Sequence, residues 1–131
     1  MDPAFASLPD RRRLAYDEYG DPDGIPVLNC HGGLTSRKDM ERCAATAAAA
    51  GVRVISPDRP GIGRSDAKPG RTLLDWPPDV AALADALGSS VSAWWGGRRA
   101  ARMRRRAPSH CRPGSPGPLS WQAAFLATGP A

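Results

Sequence analysis

Apolar residues in the first two thirds of the chain recur with the spacing of short strands. Leu14 and Tyr16 lie two residues apart before a turn rich in Gly and Asp, which predicts one or two short strands near a sheet edge. Residues 25–30 (IPVLNC) and 52–56 (VRVIS) are apolar runs with little polar alternation. Such runs are typical of strands that are covered on both faces, as in parallel sheets.

Two further stretches carry helix signals. Thr35 or Ser36 can cap a helix that continues through an alanine-rich run to a stop at Gly51, which predicts a helix from about 36 to 50. A second helix is predicted to end at Gly88; its first turn holds two prolines and its apolar residues have helical spacing: Pro77, Pro78, Val80, Leu83, Ala84 and Leu87. This order of elements predicts an α/β domain with a mostly parallel sheet and flanking helices.

The pattern of apolar residues stops at Gly88, and the charge balance changes at the same point. Residues 1–88 hold all 13 Asp and Glu against 11 Lys and Arg, whereas residues 89–131 hold seven Arg and no acidic residue. The second segment is also rich in Pro and Gly, a composition that cannot build a core of its own. We therefore divide the chain into an α/β region, 1–88, and a basic tail, 89–131, which we expect to be disordered.

Several classes of protein are disfavoured by composition. The three cysteines, Cys30, Cys43 and Cys111, are widely spaced, and with only two histidines they indicate neither a disulfide framework nor a metal site. A reducing cytoplasm fits this pattern. The N-terminus lacks the apolar stretch of a signal peptide, and no run approaches the roughly 18 apolar residues of a membrane span. We expect a cytoplasmic protein without a metal, a cofactor or a membrane partner.

The first candidate for chemistry is the H-G-G stretch that follows the apolar run 25–30. At His31, Gly32 and Gly33 the chain can turn sharply and aim backbone N–H groups into a cleft, where they can stabilise an oxyanion. The alternative is that the two glycines only make a tight turn and that the histidine is a hydrogen-bonded turn residue. Taken alone, H-G-G favours this alternative.

The stretch does not stand alone, because one helix later the chain continues as VRVISPDRPGIGRSD. In order and spacing, residues from about 10 to 88 resemble the α/β-hydrolase superfamily, in its esterase, lipase and haloperoxidase-like branch. Members have a strand ending in H-G, a helix, and a strand that enters a D-x-x-G-x-G-x-S loop, here Asp58 to Ser65. The chain departs from the family at Leu34-Thr35, where relatives often carry Pro-Gly.

The resemblance implies roles for both motifs. The backbone of His31, Gly32 and Gly33 corresponds to part of the family's oxyanion hole, and a structural loop is formed by Asp58, Gly61, Gly63 and Ser65. It also implies a parent enzyme that cleaves a small-molecule ester or similar acyl bond with a serine nucleophile. Within the sheet, the strand 25–30 would pair with 52–56 on one side and with the strand before the nucleophile on the other.

The machinery that attacks a substrate is missing from this sequence. A serine hydrolase of this class needs a Ser on a G-x-S-x-G elbow, then an acid, then a His. The chain contains no G-x-S-x-G, and after Gly88 it has no acid and only His110. By this resemblance the nucleophile should lie near position 98, where the chain has Arg98 instead. We therefore assign no catalytic residue and expect no hydrolase activity.

The genetic code suggests why the machinery is missing. Because Trp has the single codon TGG, a frame that starts one base earlier must encode Val and Gly at positions 95 and 96. With suitable choices at the degenerate bases, residues 94–103 become (V/L/M)-V-G-W-S-A-G-G-P-H, and the serine codon straddles Gly97 and Arg98. GC-rich DNA translated out of frame yields Arg, Ala, Pro and Gly. Our hypothesis is that residues from about 89 onward are a shifted translation of a hydrolase gene.

The rival hypothesis is that the tail functions as it stands. Its arginines, together with Trp94 and Trp95, could bind phosphates and stack on bases of a nucleic acid or bind another polyanion. The arginines show no helical face, however, and prolines follow them, so we favour the shifted frame. For the α/β region we expect self-association or aggregation, because the sheet would have an open apolar edge unless the run SVSAWW fills it.

Overall fold

In the computed structural model, residues 2–88 and the strand 93–96 are described. Across these residues five strands form one sheet in the order β1-β2-β4-β3-β5. Their bounds are β1 Ala4–Ser7, β2 Arg13–Gly20, β3 Ile25–Cys30, β4 Val52–Pro57 and β5 Ala93–Gly96. The strands predicted at 25–30 and 52–56 are confirmed, and they are neighbours in the sheet.

The sheet is mixed rather than mostly parallel. β1 pairs with β2 and β2 with β4 in antiparallel orientation, whereas β3 pairs in parallel with β4 and with β5. The short turn between β1 and β2, closed by a 2.8 Å hydrogen bond from Leu8 N to Arg12 O, permits only an antiparallel pair. The longer connection between β3 and β4 carries a helix, which allows parallel pairing.

The helix predicted from about 36 to 50 is built in two parts. A 3₁₀ segment, Arg37–Cys43, begins after Ser36, whose Oγ accepts a hydrogen bond from Lys38 N, and it continues as α1, Ala44–Ala49. The second predicted helix is α2, Trp76–Ala86. A 3₁₀ turn, Leu73–Asp75, precedes it and closes a capping box between Thr72 and Asp75.

Apolar side chains pack on both faces of the sheet. On one face the strands meet α2, where the core includes Leu14, Leu28, Ile55, Trp76, Val80 and Leu83. On the other face Met40 and Ala47 pack against Val52 and Val54 of β4. Because adjacent residues of β4, Val54 and Ile55, are buried on opposite faces, the strand is covered on both faces, as its mainly apolar sequence predicts.

A strand lies within the segment for which we expected disorder. The four residues of β5, Ala93–Gly96, pair with Val27–Cys30, as expected if part of the run SVSAWW fills the open edge. An edge with unpaired N–H and C=O groups favours such pairing, and Trp suits a strand. The rest of the predicted tail, 89–92 and 97–131, lies outside the described residues, as do Arg98, His110 and Cys111.

Candidate functional site

The H-G-G stretch begins directly after β3, and its histidine is buried. His31 is 2% exposed, and its Nδ1 lies 2.8 Å from the carbonyl oxygen of Gly32. The backbone N–H of Arg59 donates to Nε2 at 3.2 Å. Because a carbonyl can only accept and an N–H can only donate, the ring is neutral with its proton on Nδ1. Burial lowers the pKa of His31, and the nearby positive charge of Arg59 lowers it further.

The two glycines leave their N–H groups open. Gly32 and Gly33 are both exposed, and their N–H groups donate no hydrogen bond to any other group of residues 2–88 and 93–96. A Cβ on Gly33 would meet nothing within 4 Å, and one on Gly32 would find its nearest atom, Oγ1 of Thr35, at 3.8 Å. Two uncrowded donors therefore lie at the carboxyl end of a parallel strand.

The loop after β4 is organised around the carboxylate of Asp58, which is fully buried. Its oxygens accept hydrogen bonds from the backbone N–H of Arg37 (2.8 Å), from the Arg37 guanidinium (2.8 Å) and from the backbone N–H of Arg64 (3.0 Å). The Nε of Arg37 also lies 3.0 Å from Asp17 on β2. Burial acts to lower the pKa of Arg37, but its carboxylate partners outweigh that effect and raise the pKa.

The other motif residues of this loop hold its shape. Gly61 and Gly63 have φ of +78° and +56°, a region that favours glycine. The hydroxyl of Ser65 donates to the Asp58 carbonyl at 2.8 Å and accepts from the N–H of Ala15 at 2.9 Å. Since its proton is bound to a backbone carbonyl, Ser65 joins the loop to β2 and is not arranged as an activated nucleophile.

Comparisons with known proteins show which fold this arrangement resembles. The chain is 38% identical over 79 residues to a non-heme chloroperoxidase of Streptomyces lividans, covering 60% of this chain and 29% of that protein. It is 35% identical over 88 residues to a 3-hydroxybutyrate-oligomer hydrolase of Cupriavidus necator, covering 64% and 30%. These relatives have the α/β-hydrolase fold. In sequence and in fold, the chain is similar to the N-terminal part of these α/β-hydrolase-fold proteins.

Solved structures agree with this assignment. An epoxide hydrolase from an endophytic Streptomyces superposes with a TM-score of 0.67 at 28% identity, over 79% of this chain and 33% of that chain. A hypothetical protein of Pseudomonas aeruginosa superposes with a TM-score of 0.64 at 31% identity, over 76% and 35%. No family model matches the chain. The chain thus spans about a third or less of the α/β-hydrolase proteins that it resembles.

The structure brings the two predicted motifs of the α/β-hydrolase fold together. Arg59, next to Asp58, contacts His31 twice, through its backbone N–H and through a guanidinium hydrogen bond to the His31 carbonyl. Sequence reasoning did not find Arg59, nor did it find Arg37. The one available signal was Asp58 itself, since a carboxylate at the end of a buried strand needs donors close by.

The described residues were also compared with the expectations about metal ions and membranes. Among residues 2–88 and 93–96, no group of three or more His, Cys, Asp and Glu side chains is placed to hold a metal ion. In the same residues, no helix has the length and apolar content needed to cross a membrane. Cys30 is buried in the core, and Cys43 is partly buried at the end of the 3₁₀ segment.

Proposed function

We propose that residues 1–88 come from a hydrolase that cleaves an ester or similar acyl bond of a small molecule by serine attack. In this proposal the N–H groups of Gly32 and Gly33 hold the oxyanion of the tetrahedral intermediate. The observation that carries the proposal is that both glycines are exposed and their N–H groups are unpaired among the described residues, directly after a parallel strand with a neighbour on each side. The relatives named as hydrolases support hydrolysis as the general reaction.

The position of β5 supports the same proposal. Gly96, the last residue of β5, pairs with Cys30, the last residue of β3. Neighbouring parallel strands that end in register deliver their next residues to the same edge of the sheet. A nucleophile near position 98 would therefore follow β5 close to the point where H-G-G follows β3. A serine there could attack a carbonyl whose oxygen the glycine N–H groups receive.

The chain as written is proposed to be inactive. Its 131 residues contain no G-x-S-x-G, and the segment after Gly88 has no acid to orient a histidine base. Serine is a poor nucleophile without such a base, so open N–H donors alone would not produce turnover. Highly purified protein should not hydrolyse a short-chain p-nitrophenyl ester above the buffer rate, and clear turnover would contradict this part of the proposal.

The missing elbow is explained by a shift of the reading frame at about residue 89. In a frame that starts one base earlier, the codons of Trp94, Trp95 and Gly96 require Val and Gly at positions 95 and 96. A second pair gives an independent constraint: Trp121 followed by Gln122 requires (V/L/M)-Ala in the same frame, and Ala123 then gives Ser or Gly. At both places the frame that starts one base earlier therefore encodes small or apolar residues.

Restoring the frame tests the proposed reaction. The coding region is expressed with one base inserted at codon 89 and translated to the stop codon of the restored frame. We expect hydrolysis of a short-chain p-nitrophenyl ester, and we expect loss of that activity when the restored serine at position 98 becomes alanine. The serine-to-alanine chain is the matched control, because it differs by one oxygen atom. A soluble restored chain with no activity on a panel of acyl esters would refute an esterase parent.

A further inference from the structure

We infer that Arg59 is a positioning residue for the H-G-G segment and that it fixes the direction in which the Gly32 N–H points. This inference rests on the proposed function only for its catalytic consequence, since the contacts themselves are in the described residues. Arg59 lies just after β4, whereas Gly32 lies just after β3. Neither of the two family motifs assigns a role to Arg59. Its contacts are with the segment that follows the neighbouring strand, β3.

The first contact controls the peptide between His31 and Gly32. The guanidinium of Arg59 donates a hydrogen bond to the His31 carbonyl oxygen. The described part of the chain contains no cis peptide bond, and in a planar trans peptide the C=O and N–H groups point in opposite directions. The Gly32 N–H therefore points away from the Arg59 guanidinium. Since β4 and β5 flank β3 on opposite sides, this direction favours the side on which β5 lies.

The second contact controls the next peptide, between Gly32 and Gly33. His31 Nδ1 donates to the Gly32 carbonyl, and the imidazole is held at Nε2 by the backbone N–H of Arg59. The Gly33 N–H consequently points away from the imidazole. Position 59 thus anchors both peptides, the first through its side chain and the second through its backbone.

The contacts of Arg59 fix the orientation of two peptides that the glycines themselves do not fix. Gly32 and Gly33 have no crowded neighbour at the Cβ position and no positive φ, so neither sterics nor a special conformation fixes these peptides. Glycine peptides reorient easily, and a flipped peptide would present a carbonyl oxygen where an oxyanion has to bind. Fixed donors stabilise a developing charge because they need no reorganisation during the reaction.

The division between side chain and backbone gives the inference a distinctive test. Arg59→Ala removes the anchor of the first peptide and keeps the backbone N–H that anchors the second. In ¹H–¹⁵N spectra of the full chain, we expect the Gly32 amide signal to shift, while the Gly33 amide signal changes much less. Arg64→Ala is the matched control in the same loop, because only the backbone N–H of Arg64 binds Asp58; both amides should keep their positions.

Arg59→Gln keeps a neutral side-chain donor and guards against a variant that fails to fold. It should return the Gly32 amide part of the way toward its original position. A Gly32 amide that is unchanged in folded Arg59→Ala, or that moves equally in Arg64→Ala, would overturn the inference.

The frame-restored enzyme supplies the catalytic readout. There Arg59→Ala should lower kcat roughly 10-fold with little change in KM, because a misdirected N–H weakens the transition state more than the bound substrate. Equal kcat in Arg59→Ala and the unmutated restored enzyme would contradict the inference. If the restored enzyme shows no activity at all, the proposed function fails while the amide spectra still decide the role of Arg59.

Discussion

A Cβ at position 63 would lie 2.0 Å from Oδ2 of Asp58, so Gly63 and the buried carboxylate occupy a space that no larger residue can share. The close approach lets the carboxylate accept the N–H of Arg64 at 3.0 Å. The glycine also has a φ of +56°. The loop after β4 therefore depends on Gly63 for two separate reasons, one steric and one conformational.

Gly63→Ala should consequently lower the free energy of unfolding by about 2–4 kcal/mol, because it adds a clash with a fully buried carboxylate to the cost of a positive φ. Gly70→Ala is the matched control: φ at Gly70 is +69° and nothing lies within 4 Å of its Cβ position. That variant should lose only about 1 kcal/mol. Urea unfolding measures both, and equal losses would refute the steric role of Asp58.

Arg37→Ala should be strongly destabilising. It leaves the carboxylate of Asp58, which has no exposed surface, without its charged partner, and removing one member of a buried pair costs about 3–5 kcal/mol. The double variant Arg37→Ala with Asp58→Ala should lose less than the sum of the two single variants, because it buries no unpaired charge. Chemical denaturation of the unmutated chain, the two single variants and the double variant gives the coupling free energy. Strict additivity of the losses would contradict the pairing.

Stability should fall as the pH drops below the pKa of an unfolded histidine, about 6.5. The folded pKa of His31 is lowered, chiefly by burial, so the unfolded chain binds the proton first. The stabilisation is thus complete above pH 6.5 and is lost as the pH falls toward the folded pKa. Unfolding free energies at pH 7.5 and 5.5 measure the change.

His31→Gln is the matched control for this pH dependence, because it leaves His110 in place. The slope between the two pH values should be smaller in the variant than in the unmutated chain. A larger slope in the variant, or a stability that rises toward pH 5.5, would contradict the sign derived from the burial of His31.

Self-association should follow from the edge of the sheet. β5 pairs with β3 on one side, and no described strand pairs with its other side, where a second chain could add a strand. Sedimentation velocity of the chain as written should show species that grow with concentration. The frame-restored chain should remain monomeric under the same conditions, because further strands would cover this side. A monomeric chain with a sharp two-state melt would refute this expectation.

Much of the fold could be predicted because its signals are local. The short, mainly apolar runs at 25–30 and 52–56 favour strands buried on both faces, and the prolines before Val80 mark the start of α2. β1 was missed because four residues with only Ala6 buried carry almost no periodic signal. The parallel content was overestimated, since the pairing of β2 with β4 depends on contacts far apart in sequence.

The site was predicted less completely for the same physical reason. H-G-G and the Asp58 loop are contiguous motifs, so sequence alone indicates them. The residues that hold these motifs are distant in sequence: Arg37 lies 21 residues from Asp58, and Arg59 lies 28 residues from His31. Arginine is usually exposed, and apart from the need of Asp58 for donors, the sequence does not indicate that Arg37 or Arg59 binds a distant loop.

The nucleotide sequence through codons 85–131 tests the central proposal most directly. The shifted frame predicts that translation one base earlier gives G-x-S-x-G, with the serine codon spanning codons 97 and 98, and that the same frame continues through codon 123. A coding sequence confirmed in DNA and transcript, with no G-x-S-x-G one base away, would contradict the account.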